Sequence, residues 1–186
     1  KKDVAEAFKW VWIDANDVPL FGTDIPGDGF GLPERRITAI YLCFTFGFTG
    51  SPGQWMVWAW LMKRYHSSFC PEDPEWNDSV AFSSFYLMDD QVLVEPDVGR
   101  RPFESNRVAI EAMTLSLGPN ASNAKKDLEE GAWEKQKLIW GLHCDTDLMQ
   151  LSLPGPKLEK AHYLLSLTEF DYGAEPPPMR LIQELR

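Results

Sequence analysis

Ser83-Ser84-Phe85-Tyr86-Leu87-Met88-Asp89-Asp90-Gln91-Val92-Leu93-Val94 is the stretch on which the reading of this chain turns. An apolar, aromatic run enters, two aspartates stand where the chain reverses, and a run rich in β-branched residues leaves, which is the pattern of a tight β-hairpin. Such tips usually carry Asn-Gly or Asp-Gly, because the favoured turns need positive φ. Two aspartates serve that need poorly. Adjacent carboxylates repel, so one tends to keep a proton unless a cation sits between them. A divalent metal supplies that cation, and Mg²⁺ prefers hard oxygen ligands. The competing reading is an acidic, solvated turn, and the rest of the chain has to decide between them.

The 186 residues suit one compact domain, or one and a piece, with ample chain for a core. Acidic residues number 28 against 18 basic, a formal charge of -10, which argues against nonspecific nucleic-acid binding through bulk electrostatics. A polyanionic partner must therefore meet local basic patches. Cys43, Cys70 and Cys144 lie far apart without paired spacing, which suits a reducing, intracellular setting better than a disulfide framework. His66 precedes Cys70 by four residues, yet nothing completes a tetrahedral zinc set. No secretory signal is present. Residues 37–62 are uncharged for long enough to raise a membrane span, but Gly47, Gly50, Ser51, Pro52, Gly53 and Gln54 interrupt them with turn and cap chemistry. Strand, loop and buried helix is the better reading.

In chain order, residues 3–13 begin abruptly and read as cut rather than natural. Ala5-Glu6-Ala7 suits a helical turn, and Trp10 and Trp12 alternate with Lys9, Val11 and Ile13 as in a half-buried strand. Residues 22–33, rich in Gly and Pro, read as an irregular loop or a hairpin connection, and Arg35 and Arg36 step into a strand over residues 37–44. Ser51-Pro52-Gly53-Gln54 predicts a helix with Ser51 at the N-cap, running to about Tyr65. That helix is apolar almost all round, which implies burial between layers, with Lys63, Arg64 and His66 closing it. An acidic loop follows over residues 67–79. Ser105 is expected to cap a second helix through Leu117, with Val108, Ala112 and Leu115 on one face and Gly118-Pro119 stopping it. Residues 120–131 are polar. Residues 135–143 and 148–153 read as two strands around Asp145-Thr146-Asp147, and residues 157–167 as a helix. Pro176, Pro177 and Pro178 precede a last, truncated helix. No internal repeat is visible.

Several of these stretches fall in an order that resembles the polymerase core of retroelement reverse transcriptases, over nearly the whole chain. The tail from residue 92 to 186 is similar to oomycete-type retrotransposon polymerases. Asp3-Val4-Ala5-Glu6-Ala7-Phe8 resembles the first catalytic motif, an aspartate followed five residues later by an aromatic. Phe46-Gly47-Phe48-Thr49-Gly50-Ser51-Pro52 resembles the motif that holds template and incoming nucleotide. Leu87-Met88-Asp89-Asp90 matches the second acidic motif, with one departure: the family usually carries an aromatic at the position of Leu87, and Tyr86 stands one residue early. Residues 123–127 resemble the lysine-bearing loop, and Leu138-Ile139-Trp140-Gly141 the primer grip.

The resemblance implies an α+β polymerase palm: an antiparallel sheet with packed helices, partial fingers over about residues 15–50, and the start of a thumb. Residues 1–150 would then be the palm with its partial fingers, and 151–186 the beginning of a truncated thumb or connection. It implies transfer of a nucleotidyl group from a dNTP to a primer 3′-hydroxyl on an RNA or DNA template. Asp3, Asp89 and Asp90 would be catalytic and hold Mg²⁺ or Mn²⁺. Ala7, Phe8, Phe46, Gly47 and Lys126 would contact the nucleotide, Phe8 as the gate against a 2′-hydroxyl and Lys126 as proton donor to pyrophosphate. Trp140 and Gly141 would form the primer grip. Upstream fingers and most of the thumb are missing on this reading, so the chain alone is expected to extend primers little or not at all. Two rivals remain: a degenerate palm acting as a binding or structural module, and a metal-dependent nuclease, since paired carboxylates with Mg²⁺ serve both chemistries.

Overall fold

The computed structural model describes residues 1–72, 78–170 and 176–184. Asp73, Pro74 and Glu75 of the acidic loop, and Leu185 and Arg186 of the last helix, lie outside the described residues. The chain divides into two compact units, Lys1–Ala132 and Trp133–Arg186. Residue 150, where the sequence suggested a boundary, lies inside the second unit. The architecture is mixed α+β with antiparallel sheets.

In the first unit, β1 (Lys2–Asp3), β4 (Ser84–Leu87) and β5 (Asp90–Leu93) form one antiparallel sheet in the order β1-β5-β4, while β2 (Gly22–Pro26) and β3 (Arg36–Ile40) form a separate hairpin. Two helices, α1 (Ser51–His66) and α2 (Arg101–Leu117), pack against each other, and α1 also packs on β4. The short α3 (Ala124–Glu130) packs beside β1. Side chains alternate across a strand, so directly paired residues share a face. Lys2, Gln91 and Tyr86 therefore lie on one face of the sheet, and Asp3, Asp90 and Leu87 on the other. Tyr86 belongs to the core with Val4, Trp55, Met62 and Met113. The acidic row faces away from it.

The expected hairpin forms, but its tip is Met88-Asp89; Asp90 already pairs with Leu87 as the first residue of β5. Met88 takes a left-handed φ of 53°. In the second unit, β6 (Gln136–Ile139), β7 (Leu142–Asp145) and β8 (Gln150–Ser152) make a three-stranded meander, followed by α4 (Gly155–Leu165) and α5 (Met179–Glu184). Two strands were expected there. The first run breaks because Trp140 and Gly141, at φ 52° and 80°, are themselves a turn.

Other local expectations give way to tertiary contacts. Gly50, not Ser51, occupies the N-cap of α1, and its carbonyl accepts from the Gln54 N–H. The Ser51 hydroxyl is buried and donates instead to the Thr45 carbonyl at 2.8 Å. Burial of α1 is one-sided within its unit: Trp55, Ala59 and Met62 are fully buried, while Trp60 is 62% exposed and Val57 lies outward as well. Helix α2 begins at Arg101, so Ser105 is a buried interior residue rather than a cap. Leu115 leaves the face shared by Val108 and Ala112 and is exposed. Residues 11–13 touch residues 42–44 through a single bridge, Trp12 to Cys43, with Val11 and Ile13 inside and Trp12 outside. Among the described residues, no helix is long and apolar enough to cross a membrane.

Candidate active site

Strand pairing sets Asp3 directly opposite Asp90, and the Val4 N–H donates to the Asp89 carbonyl at 3.0 Å. Residues from opposite ends of the first ninety positions thus meet on one sheet face. Like charges opposed across strands are destabilising, so the pair requires counter-charge. Lys126 supplies it at 2.6 Å from Asp3 Oδ1, and Lys1 at 3.2 Å from Asp90 Oδ2. Asp89 and Asp90 also act on the Lys126 ammonium electrostatically, and its bond to Asp3 is the largest cause of its raised pKa. Burial raises the Asp90 pKa; Lys1 opposes the shift, and the Asp89 charge adds to it. Burial also works against charge on Lys1, but bonds to Glu130 and Asp90 outweigh it and raise its pKa.

Lys126 was expected on a loop; it lies in the first turn of α3. That helix is placed by Asn123, a residue whose role sequence reasoning missed. The Asn123 side-chain oxygen accepts from the Lys126 N–H at the helix N-terminus, its backbone N–H donates to the Asp3 carbonyl at 3.0 Å, and its Nδ2 donates to Asp3 Oδ2 at 2.9 Å. One asparagine therefore caps the lysine-bearing helix and ties it to the aspartate. Asn ahead of Ala124-Lys125-Lys126-Asp127 is a recognisable cap signal, and the contact to Asp3 is what no local pattern reveals.

Trp55 is the second residue whose role was missed. Fully buried in α1, it donates from Nε1 to the Met88 carbonyl at 2.8 Å, pinning the hairpin tip to the helix. The strained φ at Met88 persists because this bond and the Val4–Asp89 bond hold both sides of the turn. Phe8 packs edge-on to Trp55 and to Phe46, with ring centroids 6.4 and 5.0 Å away. Beside these rings lies a cavity of about 300 Å³ whose walls include Ala7, Phe8, Phe46, Gly47, Met88 and Asp89. Every nucleotide-contacting residue proposed from the sequence, Lys126 excepted, lines it. Lys126 stands with the carboxylates. Trp140 and Gly141 lie in the second unit, at the turn between β6 and β7.

Tyr86 does not substitute for the aromatic that the resembled motif carries at the position of Leu87. Period-two alternation turns it to the opposite face, where its hydroxyl is buried without a hydrogen-bond partner and burial drives its pKa far up. Leu87 shares the face of Asp90 and is half exposed.

The donor set suits a divalent ion chemically: carboxylate oxygens on adjoining strands, with Asp90 Oδ1 buried and unpartnered. In this arrangement ammonium groups hold the carboxylates. Among the described residues, no three His, Cys, Asp or Glu side chains converge as ligands of one ion. No protein-family model and no curated protein matches the chain.

Proposed function

We propose that the first unit is the palm of an RNA-directed DNA polymerase, with residues 15–50 a partial fingers region, acting inside the cell on a template-primer and dNTPs. The observation that carries this reading is the meeting of Asp3, Asp89, Asp90 and Lys126, from three distant parts of the chain, beside a cavity walled by Phe8, Phe46 and Gly47. Asp3 and Asp89 would hold Mg²⁺ or Mn²⁺, with Asp90 as a further ligand. Bound there, divalent ions supply charge that activates the primer 3′-hydroxyl and stabilises the leaving phosphates. Phe8, braced by Trp55 and Phe46, lines the cavity and would be the gate against a ribose 2′-hydroxyl. Lys126 would be the acid that protonates the departing pyrophosphate. Arg35 and Arg36, the latter ion-paired with Asp24 at 3.6 Å, would be the basic side chains that meet a phosphate backbone.

A second reading, a palm that binds but no longer polymerises, is favoured by Leu87 with Tyr86 turned into the core. Primer extension on an RNA template separates the two, read alongside Mn²⁺-dependent binding of a fluorescent dNTP. Extension, with binding lost in Asp3→Asn and Asp89→Asn and discrimination against ribonucleotides relaxed in Phe8→Ala, supports the polymerase; the same binding without extension supports the second reading. Binding indifferent to all three substitutions defeats the polymerase. Degradation of the template-primer in place of extension identifies a nuclease.

A further inference from the structure

We propose that Lys126 is the resident cation of the acidic cluster, holding Asp3 until a divalent ion takes its place and releases the ammonium. The inference rests on the nucleotidyl-transfer reading and specifies how that site is kept before it is loaded.

Both oxygens of Asp3 are committed, Oδ1 to Lys126 at 2.6 Å and Oδ2 to Asn123 at 2.9 Å, and the residue is only 4% exposed. A carboxylate so buried is costly to leave without counter-charge. An incoming cation at Oδ1 therefore competes with the ammonium already there, and two cations on one oxygen repel. The two partners are not equally able to leave. Asn123 is fixed by its backbone bond to Asp3 and by its cap on α3, whereas Lys126 reaches the site on a flexible stem whose side chain is 41% exposed. An ammonium is strongly hydrated and moves into water readily. Asn123 stays and keeps Asp3 oriented.

Charge points the same way. Asp3, Asp89, Asp90 and Glu130, the last 2.7 Å from Lys1, outnumber the Lys126 and Lys1 ammoniums, and a divalent ion in place of the Lys126 ammonium reduces that negative excess. Asp90 Oδ1, buried and without a partner, is an acceptor ready for that ion. Once displaced, the ammonium is free to serve as the acid that the proposed function assigns to it.

Mn²⁺ titration followed by the free-ion electron paramagnetic resonance signal tests the exchange on the full chain. Lys126→Met is expected to bind Mn²⁺ about tenfold tighter, because an internal competitor has been removed. Lys125→Met, which deletes an exposed ammonium from the same helix, controls for general charge and is expected to change affinity less than about twofold. Nitrogen-15 spectra of the wild-type Lys126 ammonium need no variant: its protons are expected to be protected without metal and to exchange freely at saturating Mg²⁺. Affinity unchanged or weakened in Lys126→Met, or an ammonium signal indifferent to Mg²⁺, overturns the exchange. If Mn²⁺ binding is still lost in Asp89→Asn, the polymerase reading survives that outcome. No Mn²⁺ binding by either chain overturns both.

Discussion

Trp55→Phe tests whether the bond from α1 holds the hairpin tip. The substitution keeps an aromatic ring in the core and deletes the donor that reaches the Met88 carbonyl at 2.8 Å. Loss of one buried hydrogen bond costs about 1 kcal/mol, and toward 2 if the carbonyl finds no other partner. Removing part of the indole leaves a gap of a few tens of Å³ around a fully buried side chain, worth about 1 kcal/mol at roughly 24 cal/mol per Å³. The strain at Met88 φ 53°, on the order of 1 kcal/mol, can then relax, so part of the loss is recovered by the tip swinging away. The net expectation is about 2 kcal/mol, with the tip displaced. Urea denaturation followed by far-ultraviolet circular dichroism reads the first, and amide exchange at Asp89 and Asp90 the second. Trp60→Phe, on the outward face of the same helix, is the comparison and is expected to stay within about 0.5 kcal/mol of wild type. Equal effects of the two substitutions, or a Trp55→Phe chain with unaltered exchange at the tip, would refute the reasoning.

Two further outcomes follow from the buried polar network behind the hairpin. His66 is fully buried, accepts or donates at Nε2 to Ser105, and has its pKa lowered by burial from 6.5 to about 4. The unfolded chain therefore takes up the proton first, and stability falls as pH drops from about 6.5 to about 4, by up to roughly 3 kcal/mol from this residue alone. His66→Gln should show a shallower decline of the urea midpoint over that window; parallel pH profiles of variant and wild type would remove His66 as the cause. Arg101 is almost wholly buried and bonds Glu95 at 2.6 Å and Asp78 at 2.7 Å, while Glu95 has no exposed side-chain surface. Arg101→Met strands that carboxylate and should cost about 3–5 kcal/mol in thermal or urea unfolding, with a loss under about 1 kcal/mol contradicting it.

What the sequence disclosed was local pattern, and what it concealed were partners distant along the chain. Alternation and turn chemistry located the hairpin of residues 84–93, and the start signal Ser51-Pro52-Gly53-Gln54 located α1. The cap at Ser51 was misassigned because its hydroxyl has a better acceptor at Thr45, which local motifs cannot register. Ser105 looked like a cap for a similar reason: it is a small polar residue whose real partners, His66 and Glu95, are contributed by other segments. His66 was read as a cation at a helix C-terminus, yet burial keeps it neutral. The tryptophans of α1 read alike in sequence, although Trp55 is a buried donor and Trp60 an outward ring lying under Arg64. The cluster itself was visible only as an ordered set of motifs, because its geometry depends on a two-residue strand, Lys2–Asp3, too short to announce itself.

Because Asn123 joins Asp3 across nearly the whole first unit, the carboxylate cluster cannot be assembled early. Closing so large a loop is entropically expensive, and the short β1 offers few neighbouring contacts to offset it. The cluster is accordingly among the last features to form on folding and among the first to open. A nascent or partly unfolded chain therefore carries Asp3 apart from Asp89 and Asp90, and the three cannot share a cation until the first unit is complete.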